Sequence, residues 1–401
     1  MTTTTRELGL TYASHSSLSK HRECPQKWYY GHVRKLAKAD PEDAAVERDM
    51  GSWWHMLRAA DSIERGRLAG TLHWVPEELT STDDGPRIPG NANDLRLQVQ
   101  FAAEQWWSKQ SSSTQAAWAE RIGEDLPHRL DALNTRWYWQ WSAAIPHEQP
   151  LAVELRWERR LPPLPQPDAP AVDPNAMLVG YVDEVYYDTR RKVIVVRDHK
   201  AGKRMSAQTS ATDMMDSQLQ LYAWGAAPKV SAWELGQIKA TAYDRVRMVK
   251  PTTPKVTISG TLSKSVSDYD LATYVEWCES EPAYAGRKKD GSEAGVYQQE
   301  EKEIERLTSP AHVSGWFQRT LTPLNQNLIR AHLRAAVDSA LDMSVSYERA
   351  ALEHAAARNL TRSNCDWCDF AALCRSEMFG GAQGDFNLAD FRLASKKRSG
   401  R

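Results

Sequence analysis

The amino-acid sequence predicts an α/β fold in which a small sheet-bearing core sits inside a mostly helical frame. Three observations predict it. Between residues 151 and 200 the apolar residues alternate with a period of two, the pattern of strands. Over residues 51–67, 95–145 and 328–357 the apolar spacing is helical instead. The composition, 41% hydrophobic and 26% charged over 401 residues, is that of an ordinary globular chain with material for two to three domains.

Composition also removes several classes. No run approaches 18 apolar residues, so no transmembrane helix is expected. The N-terminal Met1–Arg6 stretch has no apolar core or small-residue cleavage site, so secretion is not expected and a cytoplasmic location is. Lys plus Arg (51) nearly cancels Asp plus Glu (52), so any polyanion site must come from local clustering. Five cysteines in such a chain argue against a disulfide scaffold.

The elements follow in order. Serines from Ser14 onward supply N-caps for a first short helix, and Pro25 opens the next. Gly51–Arg67 reads as a helix, residues 81–92 as a loop, and Leu95–Ile145 as helical with tryptophans spaced for packing. Leu151–Arg160, Leu178–Tyr187 and Lys192–Lys200 read as strands. The proline run 161–170 separates the first two, and a turn at 188–191 joins the last two. A helix over Ser217–Ala227 and a strand over Gly236–Tyr243 complete an α/β core. Residues 280–306 read as a mobile charged insertion, Leu328–Ala357 as a long helix, and 396–401 as a basic tail. The expected organisation is therefore a strap (1–50), a helical region (51–150), the α/β core (151–250), an extension (251–308), and a C-terminal helix with a cysteine cluster and tail (309–401).

Chemistry enters on the predicted hairpin. Asp183 shares a strand face with Val179, Tyr181 and Val185, and Asp198 and Lys200 emerge from the face of Ile194 and Val196. Charges closing an apolar face need a partner or a metal. Two carboxylates and an ammonium suit phosphodiester hydrolysis with Mg²⁺ or Mn²⁺, the lysine orienting water or stabilising the transition state. The rival reading is a surface hairpin with ordinary ion pairs. Glu184 points to the other face and is excluded as a ligand. Gln218 and Tyr222 share one helix face at i and i+4, and His55 offers an imidazole on the 51–67 helix. Aromatic residues Trp28, Tyr29, Tyr30, Trp53 and Trp54 are candidates for stacking bases or for packing. Arg190, Arg191, Lys192, Arg197, Lys200, Lys203 and Arg204 read either as a local basic surface for a nucleic-acid backbone or as a solvated hairpin tip.

Cys365, Cys368 and Cys374 form a C-x2-C-x5-C cluster, and Cys24-Pro25 lies far upstream. Four thiolates suit a [4Fe–4S] cluster, with Zn²⁺ as the rival. Either would clip segments more than 300 residues apart, a closure worth at most roughly 5–6 kcal/mol by chain entropy. Cys278 reads as an ordinary buried thiol.

With these residues in hand, the sequence resembles the RecB-type nucleases of the PD-(D/E)XK superfamily. It looks most like their iron–sulfur branch, which includes the AddB nuclease domain and CRISPR-associated and phage exonucleases. The resemblance is carried by Ser14-x-Ser16, Cys24-Pro25, Gly51…His55, Gly180-x-x-Asp183, Asp198-His-Lys200-Ala-Gly202, Gln218-x-x-x-Tyr222 and the cysteine trio. It implies a small mixed sheet with flanking helices, its chain ends clipped by an Fe–S cluster. It implies His55, Asp183, Asp198 and the backbone carbonyl of His199 as metal ligands and Lys200 as the catalytic lysine. Gln218 and Tyr222 would position substrate, and Cys24, Cys365, Cys368 and Cys374 would ligate the cluster. Val182, Glu184, His199 and Ala201 depart from the family pattern without removing a ligand.

The implied activity is a metal-dependent DNA exonuclease acting at ends or on single strands, in recombination, repair or end processing. The alternative is a catalytically inactive iron–sulfur adaptor that binds nucleic acid. No G-x-x-x-x-G-K-[ST] phosphate loop is present, so a helicase or recombinase partner would be a separate protein.

Overall fold

A computed structural model describes residues 11–38, 46–76, 94–163, 165, 171–203, 205, 213, 215–264, 268–280, 284–287, 290, 292–297, 301–353, 355–366, 368–379 and 391–393. The strands are β1 (Thr11–Ser14), β2 (Leu36–Lys38), β3 (Glu148–Arg160), β4 (Ala176–Asp188), β5 (Val193–Gly202), β6 (Ile238–Arg247), β7 (Tyr284–Arg287), β8 (Glu293–Tyr297), β9 (Phe317–Pro323) and β10 (Phe391–Leu393). The helices before the core strands are α1 (His15–Glu23), α2 (Pro25–Trp28), α3 (Val46–Ala69), α4 (Leu95–Ser108), α5 (Ser112–Ile122) and α6 (Leu126–Trp141). Those within and after the core are α7 (Ser217–Ser231), α8 (Leu271–Ser280), α9 (Glu301–Thr308), α10 (Pro310–Val313), α11 (Gln326–Glu353), α12 (Arg362–Cys365) and α13 (Ala371–Phe379).

The central sheet is mixed. Its path runs β1-β4-β5-β6-β9, and β3 pairs with β4. The β1–β4 and β5–β6 pairs are parallel and the others antiparallel. One face, carrying Val185, Ile194 and Val196, packs on α1, α7 and α11 through Leu18, Leu221, Ile329 and Val337. The other, carrying Val153, Val246 and Phe317, packs on α3–α6 through Trp54, Leu57, Leu130 and Trp137. Both faces are thus covered, as a sheet with buried strands requires.

Local chemistry fixes the helices around it. Ser14 caps α1 with a reciprocal capping box to Ser17, and Asp125 caps α6 ahead of a proline at its first turn. Trp157 of β3 lies between two glycines. A Cβ on Gly180 would come within 2.7 Å of its ring and one on Gly225 within 2.2 Å. Glycine at both positions lets α7 close onto the sheet over an indole.

The structure refines several expectations. Among its described residues, the 280–306 segment includes the β7–β8 hairpin and most of α9. The apolar residues of this region are few but local: Tyr269, Tyr274, Trp277, Cys278 and Leu307 form a small satellite core. The 95–145 stretch, read as helical, is the three helices α4–α6, and Gly123 at φ +88° ends the second of them. Two short strands, β1 and β9, were not legible as strands at all. The 81–92 loop and the 396–401 tail lie outside the described residues.

Candidate active site

The site lies where the sheet opens. β3 runs along one side of β4, so β1 and β5 share its other side. β1 pairs as far as Val179, and β5 begins only at Glu184. Residues 180–183 fall between the two registers, and Asp183 stands in that opening. The His199 N–H donates to Asp183 Oδ2 at 2.8 Å, and His55 Nδ1 of α3 lies 3.1 Å from the same oxygen. The N–H and C=O of one strand residue leave on the same side, so the His199 carbonyl is directed to the same opening.

Asp198 shares the sheet face of Asp183. Lys200 Nζ lies 2.7 Å from Asp198 Oδ2, and Gln218 Nε2 of α7 donates to Asp198 Oδ1 at 3.3 Å. Tyr222, one turn on, hydrogen-bonds Gln218 and packs edge-on against Trp157. His55, Asp183, Asp198, Lys200, Gln218 and Tyr222, drawn from four elements, are therefore brought together.

A further carboxylate joins them. Among the described residues, His55, Glu154 and Asp183 each place a ligand atom within 4.8 Å of the others. Glu154 was missed because a single acid in the apolar run Leu151–Leu155 looks like an outward strand position. The available signal was the cost of a charge in that run.

The electrostatics separate the carboxylates. Burial works to raise Asp183, but His55 and His199 outweigh it and hold the carboxyl below its ordinary range. Burial and then the Asp183 charge push Asp198 up to about 6, against the pull of Lys200. Burial opposes the charge on His55 and on Lys200. Asp183 in the first case and Asp198 in the second outweigh it and raise both. Burial and the neighbouring charges thus move the two carboxyls in opposite directions. The donor set, three carboxylates, one imidazole and a strand carbonyl, fits a hard divalent ion.

The opposite face is a buried ion network. Arg197, fully buried, pairs with Glu148 at 2.7 Å and Glu184 at 2.9 Å. Ser62 donates to Glu184 at 2.9 Å, Arg319 pairs with Glu148 at 2.6 Å and also with Asp244, and the His199 ring faces Glu184. Glu184 is thereby held away from the Asp183 opening.

Two pairs of alternatives are decided here, in favour of packing for the aromatics and of a hairpin tip for much of the basic run. Trp28, Tyr29, Tyr30, Trp53 and Trp54 are all buried and present no face to a base. Arg197 belongs to the network, not to a basic surface, and Arg190, Arg191 and Lys192 lie at a hairpin tip about 17 Å along the strands from Asp183. Arg204 lies outside the described residues.

At the far end of α1, Cys24, Cys365, Cys368 and Cys374 line one cavity of about 330 Å³. Arg358 Nε lies 3.3 Å from Cys374 Sγ, and the Asn359 N–H donates to Cys24 Sγ at 3.5 Å. The Gln26 N–H donates to the Ala357 carbonyl at 2.9 Å, and the Ala356 N–H to Gln26 Oε1 at 2.6 Å, tying the two segments beside the thiols.

The chain matches the PD-(D/E)XK nuclease superfamily over residues 12–375. No curated protein matches it.

Proposed function

Since the chain belongs to the PD-(D/E)XK nuclease superfamily, a family of metal-dependent phosphodiester hydrolases, we propose that it is a DNA exonuclease using Mg²⁺ or Mn²⁺ on DNA ends or single strands. The observation that carries this reading is the convergence of His55, Glu154, Asp183, Asp198 and Lys200 in one opening of the sheet.

Asp183 and Asp198, with His55, Glu154 and the His199 carbonyl, are the groups that would hold the divalent ion. When bound, that ion supplies Lewis acidity at the scissile phosphate. Lys200 orients the attacking water and stabilises charge on the phosphoryl oxygens. Water adds to phosphorus, the bond to one ester oxygen breaks, and that oxygen leaves with a proton. Gln218 holds Asp198 in place through its 3.3 Å hydrogen bond.

We further propose that Cys24, Cys365, Cys368 and Cys374 hold a [4Fe–4S] cluster. The four thiols, brought from two distant stretches of chain, line one cavity, and four thiolates are the ligand number of such a cluster. Bound there, the cluster would reinforce the tie between α2 and the 356–357 segment, as metal sites contribute folding energy. Iron and zinc analysis of anaerobically purified protein tests this, and zinc without iron overturns it.

Digestion of end-labelled linear and circular DNA, wild type beside Asp198→Ala, tests the activity. Release of mononucleotides or short products from linear DNA only, lost in the variant, supports the exonuclease. Intact linear DNA with both Mg²⁺ and Mn²⁺ overturns it.

A further inference from the structure

Glu184 follows Asp183 in β4 and departs from the family pattern. It is no ligand, yet it is only 1% exposed and both of its carboxylate oxygens are engaged. The Ser62 hydroxyl donates to Oε1 at 2.9 Å, and Arg65 Nη2 lies 3.3 Å from the same oxygen. Both partners belong to α3. Arg197 Nη1 of β5 lies 2.9 Å from Oε2. Burial opposes the charge on Glu184, but Arg197, the His199 ring and Arg65 outweigh it and hold the carboxyl well below its ordinary range. One ionised group on β4 thus ties a helix to the neighbouring strand.

That helix also carries His55, two turns before Ser62 and about 10 Å away along the axis. The registered β4–β5 ladder ends at Glu184, and beyond it His55 Nδ1 lies 3.1 Å from Asp183 Oδ2. Trp54, Leu57 and Ile63 hold α3 against the core. Apolar burial is non-directional and sets the distance of a helix from a sheet more tightly than its position along its own axis. A hydrogen bond is directional, so the Ser62–Glu184 bond fixes that position. Glu184 adjoins Asp183 in the chain, so the fixed point lies one residue from the carboxylate that His55 must meet.

We propose that Glu184 is a positioning residue. Through Ser62 and Arg65 it sets α3 on β4 so that the His55 imidazole meets Asp183 at the cation site. The proposal rests on the metal-site reading above and deepens it, adding a residue that never touches the ion. Adjacent acids of one strand then have separate tasks, Asp183 as ligand and Glu184 as the anchor that aims a second ligand.

Mn²⁺ binding read by electron paramagnetic resonance, in a double-mutant cycle of Glu184→Gln with His55→Ala, tests this. Glutamine keeps the shape, and Arg65 and Arg197 retain Asp61 and Glu148 as partners, so a folded variant is expected and is checked by circular dichroism. With His55 present, Glu184→Gln is expected to weaken Mn²⁺ binding about tenfold. In His55→Ala protein, where three carboxylates remain for the ion, the same substitution is expected to weaken it by less than about threefold, because the ligand that Glu184 aims is already gone. Ser62→Ala removes one hydrogen bond and leaves both ion pairs of Glu184. It is expected to lower affinity about threefold, again only with His55 present, and it carries the test should the glutamine variant not fold. An equal loss with and without His55 is a general effect on the fold and overturns the proposal. So does wild-type affinity in both Glu184→Gln and Ser62→Ala. If the wild-type protein binds no Mn²⁺, the metal-site reading itself has failed.

Discussion

Glu154 stands opposite Asp183 across the β3–β4 ladder, between the registered pairs Val153–Glu184 and Leu155–Val182, and its backbone is left-handed at φ +48°. A β-strand residue other than glycine in that region carries strain of roughly 1–2 kcal/mol. The strained residue is also one that brings a carboxylate oxygen within 4.8 Å of His55 and Asp183. Strain placed at a ligand cluster is a cost accepted for aim.

Glu154→Gly should therefore separate stability from function. The metal-free variant is expected to unfold about 1 kcal/mol later than wild type in urea, while Mn²⁺ affinity falls roughly 10-fold or more. Glu154→Gln, which keeps the strain, should lose affinity without gaining stability. Equal stability in Glu154→Gly and Glu154→Gln would remove strain from the account.

Asp198 predicts a pH dependence. Its folded-state value of about 6 lies above the ordinary 3.8, so between these values the folded chain holds a proton that the unfolded chain has released. The metal-free protein should lose stability as pH rises through this window. A divalent ion needs Asp198 ionised and His55 neutral, so its affinity should rise with pH through about 6 and go on rising while His55, held above its ordinary range by Asp183, gives up its proton. Isothermal titration with Mn²⁺ from pH 5 to 8 reads this directly. Asp198→Asn should remove the limb near 6 and leave the one due to His55, and a wild-type affinity independent of pH contradicts the assignment.

The network behind the site should be brittle. Arg197→Met leaves Glu148 and Glu184 buried without their shared cation, which is expected to cost about 3–5 kcal/mol. Urea denaturation measures it, and a loss under 1 kcal/mol means that water or another cation reaches the pocket.

The glycine sandwich gives a packing test. Gly225→Ala would place a methyl 2.2 Å from the Trp157 ring, and overpacking of this kind costs about 1–3 kcal/mol. Combining it with Trp157→Leu should recover part of the loss, whereas strictly additive losses would place the strain elsewhere.

The strands that carry the site were legible because their pattern is local. Alternation placed Asp183 and Asp198 on one face and Glu184 on the other, and the β4–β5 register shows that arrangement. Helix spacing located α3 and α7, and with them His55, Gln218 and Tyr222. What escaped depended on distant chain. β1 is four residues long and reads as a strand only against β4. Glu154 acquires meaning only through its register with Asp183. Arg197 looked like surface charge because its partners Glu148 and Glu184 come from other strands. The buried aromatic residues of α2 and α3 were ambiguous for the same reason, since a tryptophan stacks or packs according to what lies over it.

The central claim is that Asp183 and Asp198 bind one divalent-cation site with His55 and Glu154. Electron paramagnetic resonance of Mn²⁺ titrated into wild-type protein and into Asp183→Asn tests it most directly. The account predicts saturable binding in wild type, with affinity lost by 10-fold or more in the variant while the fold is kept by circular dichroism. Identical Mn²⁺ binding by the two folded proteins would contradict it.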